Sequence, residues 1–180
     1  MFTLLRRWLP FALLATILCA LPFVMTQQVL RHGADELPLR IAEEAALQLE
    51  GGVGPATIIG TRAVDASQSM APFLMIFSES GSIIASSVVL DNQSFLPPAG
   101  VLEAARASGE SRITWAPRAD LRLAIVVQTF GGERPGFVLA GQSLRETEAT
   151  IATLQILTLI AWGASLLLLL LTVALWPRRS

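Results

Sequence analysis

Leu121-Arg122-Leu123-Ala124-Ile125-Val126-Val127-Gln128-Thr129-Phe130 is apolar on both of its alternating sets of positions, apart from Arg122, Gln128 and Thr129. Side chains of a strand point alternately to opposite faces, so a strand apolar on both faces belongs to a sheet covered on both sides. Turn residues bracket it at 117–120 and 131–135, with strand candidates beyond them at 112–115 and 136–142.

Upstream, Phe73-Leu74-Met75-Ile76-Phe77 and Ser82-Ile83-Ile84-Ala85-Ser86-Ser87 are short apolar runs split by Ser78-Glu79-Ser80-Gly81, the pattern of a hairpin. Residues 99–107 read as a short helix after Pro97-Pro98, with Gly109 just past its end. The expectation is a five-stranded sheet with a helical insertion.

Asp35-Glu36-Leu37-Pro38 places acids and a proline at a helix start, and the helix runs to about Glu50. Leu39, Ala42, Ala46 and Leu49 form one apolar stripe, with Glu43, Glu44, Gln48 and Glu50 on a polar side. This stripe can pack on the sheet or on the same helix of a second copy; in the first case the helix covers one face of the sheet, and the loops with the short helix the other. Gly51-Gly52-Val53-Gly54-Pro55 reads as a turn closing the helix, since Pro55 lacks the N–H a phosphate loop needs.

Ser143-Leu144-Arg145-Glu146 has the form of a capping box, which would start a helix at Leu144. No Gly or Pro interrupts that helix before Gly163. About 33 residues at 1.5 Å each would make a rod near 50 Å long.

Apolar runs lie at 8–25 and 156–176. Each matches the roughly 18 to 20 residues a helix needs to cross a bilayer core. Arg6-Arg7 precede the first and Arg178-Arg179 follow the second, whereas all fourteen acids fall between them; over 27–150 nine arginines leave a net charge of −5. Arginines flanking short termini are retained in the cytoplasm, so the expected division is 1–7 cytoplasmic, 8–26 a span, 27–150 translocated, 151–176 a span and 177–180 cytoplasmic.

A cleaved signal peptide is the alternative for the first run. Leu18, two residues before a cleavage point at Ala20, is larger than that site prefers, and no small residue precedes Cys19 as lipidation would need. An uncleaved anchor is expected.

The translocated part suits one domain. It holds no cysteine, so burial alone must stabilise it. The chain has no lysine, which removes Schiff-base chemistry, a Ser/Lys dyad and a P-loop lysine. Its one histidine, His32, stands outside any zinc or triad pattern and is read as a solvated residue at the headgroup level. The acidic balance argues against nucleic acid. Asn92-Gln93-Ser94 fits the glycosylation pattern, which carries meaning only in a eukaryotic secretory setting.

Anchor, exposed helix, five-stranded sheet with a helical insertion, then a capped helix entering a second span: this order resembles the Cache (PAS-like) extracytoplasmic sensor domains of bacterial histidine kinases and chemoreceptors. The segment Phe77-Ser78-Glu79-Ser80-Gly81-Ser82-Ile83-Ile84-Ala85-Ser86-Ser87 looks like the family's strand, acidic-Gly turn, strand unit. Gly136-Phe137-Val138-Leu139-Ala140-Gly141-Gln142-Ser143-Leu144 resembles its last strand and the exit into the outgoing helix.

The resemblance implies an α+β fold with a PAS/Cache-like domain between two transmembrane helices, in a bacterial plasma (inner) membrane. It also implies a signal-transduction role, such as a two-component system uses. The chain reaches Pro177-Arg178-Arg179-Ser180 with no transmitter module, so output is expected through a partner, such as a separate membrane kinase or complex subunit, or through the membrane helices themselves, with a homodimer among the candidate assemblies.

Ligand pockets combine an apolar wall with convergent polar groups. Trp115, Arg118 and Arg122 flank one turn, so guanidinium forks beside an indole are a candidate carboxylate site. The plainer reading makes Trp115 core, pairs Arg122 with Asp120 or Asp91, and leaves Arg118 solvated.

A rival function is that of an accessory subunit, for which Ala161, Gly163, Ala164 and Ser165 form a small-residue cluster suited to close helix packing. Catalysis by Asp65, Asp91 and Asp120 lacks any motif that would bring them together, so no enzyme activity, metal or cofactor is expected. Two charge-free spans without a broken helix argue against a transporter.

Overall fold

The computed structural model describes residues 2–60, 63–90 and 96–175, and the side chains within them apart from 2–7, 31 and 32. Asp91, Asn92-Gln93-Ser94 and Arg178-Arg179 lie outside the described residues, as do the side chains of Arg6, Arg7 and His32. The chain forms two compact units, one of 1–31 with 148–180 and one of 32–147.

The first unit is a pair of helices. Helix α1 spans Phe2–Gly33, and α5, at the other end of the chain, spans Arg145–Leu175. Both are long and apolar enough, by length and composition, to cross a membrane. Along α5 no residue is buried, as in a helix that is apolar all round and faces something other than a protein core.

Two indoles tie the helices together. Trp162 Nε1 donates to Thr16 Oγ1 at 3.0 Å, and Trp8 Nε1 makes a longer bond to the Leu166 carbonyl at 3.4 Å. Numbers rise from 8 to 16 on one helix as they fall from 166 to 162 on the other, so the two run antiparallel. Helix α1 continues past the polar Thr26-Gln27-Gln28 to Gly33.

The second unit begins with α2 (Glu36–Glu50), which has the expected bounds. The expected turn closes it at Gly51 and Gly52, and a five-residue helix, α3 (Pro55–Ile59), follows. Pro55 stands at its first position, where a missing N–H costs nothing.

Among the described residues seven strands follow: β1 (Val64–Asp65), β2 (Phe73–Ser78), β3 (Ile83–Ser86), β4 (Val88–Val89), β5 (Glu110–Arg118), β6 (Leu121–Phe130) and β7 (Gly136–Ser143). Helix α4 (Val101–Ser108) lies between β4 and β5. Five strands make one antiparallel sheet in the order β3-β2-β7-β6-β5. The remaining two, β1 and β4, form a small parallel pair that the sequence reading missed, because two-residue strands carry no period.

Both faces are covered, as the doubly apolar β6 required. On one face Met75, Leu139 and Val127 stand in register across three strands, with Phe73, Phe77, Leu123 and Ile125 beside them. Val101 and Ala105 of α4, with Ala66 just after β1 and Val88 of β4, close over this face. On the other face α2 lies on Ile76, Val126, Val138 and Ala140 through Ala42, Ala45 and Ala46. Alanines on both sides of that contact let the helix backbone approach the sheet closely.

Helix α4 is pinned to the hairpin turn by Arg106. Its guanidinium donates to the Glu79 carbonyl at 2.6 Å, pairs with Glu103 at 2.8 Å and sits 5.2 Å from the Phe137 ring centroid. The turn closes with Ser78 N–H donating to Ser82 O at 2.8 Å, and Gly81 takes φ 82°.

The outgoing helix starts one residue later than a capping box would place it. Ser143 is the last residue of β7, and its Oγ accepts from Arg145 N–H at 3.3 Å. Leu144 N–H donates to Arg122 O at 2.9 Å, so the ladder with β6 outlasts the strand by one residue and delays the helix.

Two glycines of β7 are required by close approach. A Cβ on Gly136 would lie 2.2 Å from the Phe77 carbonyl oxygen, and one on Gly141 would lie 2.5 Å from the Phe73 ring. Gly136→Ala is therefore expected to force β7 off β2 and cost about 2–4 kcal/mol, read as a lower midpoint in denaturant unfolding. A midpoint unchanged from the parent chain would refute this packing.

Candidate functional site

A cavity of about 520 Å³ opens within the second unit, where the start of β2 meets α2, α3 and the segment that carries β1. That volume lies in the range of small-molecule sites. Its apolar wall comes from Ile41 of α2, Ile59 of α3, Val64 of β1, Pro72, Phe73 and Leu74. Asp65, Ser69 and Ser87 supply the polar side.

These polar groups are positioned by short-range bonds. Asp65 Oδ1 accepts from Ser67 N–H at 2.8 Å and from Ser67 Oγ at 2.6 Å, an Asx-type arrangement that mimics a backbone turn. The Asp65 carbonyl accepts from Gln68 N–H at 3.1 Å and Ser69 N–H at 2.8 Å, which closes the turn at 65–69 on itself. Ser69 Oγ accepts from Ala71 N–H at 3.1 Å.

Ser87 acts differently. Its Oγ accepts from Leu74 N–H at 2.8 Å and donates to Leu74 O at 3.1 Å, so it braces the start of β2 where the ladder with β3 has ended. It is buried, and its hydroxyl is spent on that brace.

The lining thus sets a carboxylate and a hydroxyl beside mostly apolar residues, the mixed composition of small-molecule cavities. Among the described residues, no three His, Cys, Asp or Glu side chains converge on a metal-sized site.

The residues singled out in the sequence lie elsewhere. Trp115 is half-buried and packs against the Phe77 and Leu123 face of the sheet. It stands directly opposite Leu123, the neighbour of Arg122, so the period of two sends Trp115 and Arg122 to opposite faces. Arg118 ends β5 and pairs with Asp120, Nε to Oδ1 at 3.3 Å. The structure thus joins Arg118 to Asp120 and sends Trp115 and Arg122 to opposite faces of the sheet.

Asp65 lines the cavity and Asp120 sits in the β5–β6 turn, so these two carboxylates belong to different places in the fold. On β5, the hydrogen bond from Arg112 to Glu110 raises the guanidinium above its ordinary value. Neither residue lines the cavity.

One signal for the cavity was present in the sequence. Residues 60–72, between the expected long helix and the first long strand, are mostly small and polar, with Asp65-Ala66-Ser67 as an Asx-turn pattern. Long loops with such turns often carry binding residues.

No family model, curated protein or solved structure matches the chain.

Ser87→Ala strips Leu74 N–H of its side-chain acceptor at the cavity floor. The expected loss is about 1–3 kcal/mol, the cost of a buried donor left unmade. Thermal unfolding of the full chain measures it, and a melt identical to the parent would show that the brace contributes nothing.

Proposed function

We propose that this is a two-pass protein of a bacterial inner membrane whose 32–147 unit is an extracytoplasmic sensor domain of Cache (PAS-like) type. It binds a small amphipathic molecule in the cavity beside Asp65 and acts through a separate partner. It carries no enzymatic activity of its own.

The observation that carries this reading is the continuity of the sheet domain with apolar helices at both chain ends. Helix α1 leads through Ala34 and Asp35 into α2, and the central strand β7 passes through Leu144 directly into α5. The elements agree in order with those on which the likeness rests: long helix, hairpin, helical insertion, two strands, and a last strand entering the outgoing helix. A ligand alters such a device only if it binds two arrangements unequally.

Membrane insertion is supported by the two helices themselves, apolar all round and joined by indole bonds that suit a hydrocarbon setting. The arginine pairs at the chain ends favour cytoplasmic termini.

The accessory-subunit reading draws on one feature. A Cβ at Gly163 meets no atom within 4 Å, and Ala164 is exposed, so this part of the small-residue cluster is open to a further helix.

Orientation is tested with Cys19→Ala chains carrying one new cysteine. Ser80→Cys should react with a membrane-impermeant maleimide in intact cells whose outer membrane is permeable, and Ser180→Cys only after lysis. The reverse pattern would overturn the topology. Binding is tested by native mass spectrometry of the full chain released from detergent. A small co-purified mass whose removal lowers the melting temperature is the expected result. An empty chain in every preparation would favour the accessory reading.

A further inference from the structure

Resting on the binding reading above, we propose that the turn at 65–69 is the movable wall of the cavity, and that Arg145 is the positioning residue through which cavity occupancy reaches α5. Arg145 is the first residue of α5, and its Nη2 donates to the Ser67 carbonyl at 2.8 Å across a separation of 78 residues. Ser67 lies between Asp65 and Ser69, both of which line the cavity. One charge-assisted bond thus joins the cavity wall to the start of the outgoing helix.

The bonds within the turn make it move as a body. Asp65 holds Ser67 by two bonds from its carboxylate and holds Gln68 and Ser69 by its carbonyl, so a push on the lining residues is passed to Ser67. The opposite wall is built on helices, by Ile41 of α2 and Ile59 of α3. An occupant wedged between the two sides displaces the turn more readily than the helices.

The start of α5 is where such a displacement has effect. The first N–H groups of a helix have no intrahelical partners, so this turn depends on outside bonds. They include the long bond from Arg145 N–H to Ser143 Oγ, the Leu144 to Arg122 bond just before it, and the Arg145 side chain. The last of these connects to the turn beside the cavity. From Arg145 the helix runs unbroken to Leu175.

The test is a double-mutant cycle on the full chain in detergent, read by amide hydrogen exchange in the first turns of α5, at 148–151. Ile59→Trp serves as a built-in occupant. In the parent background it should speed exchange there about fivefold, the size expected for loosening one hydrogen bond of ordinary net strength. In Arg145→Ala the same amides should already exchange faster, and adding Ile59→Trp should change nothing more. Arg145→Lys, which keeps a cationic donor, should restore part of the response to Ile59→Trp.

A merely structural Arg145 would give additive effects. Equal acceleration by Ile59→Trp in both backgrounds, or in neither, overturns the proposal. The two failures are separable, because ligand occupancy is scored by mass on the unsubstituted chain. A bound mass with an additive cycle sinks the Arg145 link alone, and an empty cavity sinks the binding reading on which it rests.

Discussion

The sheet domain depends on burial of β6 and β7 from both sides at once. Ile125, Val126, Val127, Val138, Leu139 and Ala140 are all fully buried, although alternate residues point in opposite directions. Side chains of this kind bring about 1.5–3 kcal/mol each when removed from water, less for alanine. A sheet with this sequence at its centre is stable only with a layer on each face. The long helix, the short helix and the small parallel pair are those layers. Without cysteine in the domain, no cross-link substitutes for them.

The two layers are built differently. Over the aromatic face, α4 and the β1–β4 pair contribute mainly small groups, Val101, Ala105, Ala66 and Val88, against Phe73, Phe77 and Phe137. On the opposite face the alanines of α2 meet Ala140 and Val138 at close range. The cavity opens where the second layer runs out, at the start of β2, because α3 and the β1 segment lean in there without filling the space. The cavity thus lies at the seam between two layers, while the sheet itself stays close-packed.

The apolar helix pair is held by a different economy. Hydrocarbon around the helices would give no hydrophobic reason to associate, so specific polar contacts gain weight. Thr16 illustrates this, since its hydroxyl donates to Ala12 O at 2.8 Å and accepts the Trp162 indole. One residue satisfies its own helix and fastens the other.

What the sequence determined by itself was whatever depends on local periodicity and terminators. The apolar alternation of 121–130 dictated a sheet covered on both sides, the i, i+3, i+4 stripe of α2 gave its buried face, and Gly81 and Gly109 marked a hairpin turn and a helix end. The two apolar helices followed from run length alone. Tertiary structure decided what joins residues far apart in the chain. The sequence neighbours Trp115 and Arg122 flank one turn but lie on opposite faces, because register across β5 and β6 places Trp115 beside Leu123. Ile41, Ile59, Asp65 and Phe73 line one space, and Arg145 reaches Ser67, because strand order and helix packing bring these segments together. No period or spacing encodes such a meeting; it is set by which surfaces must be buried at once.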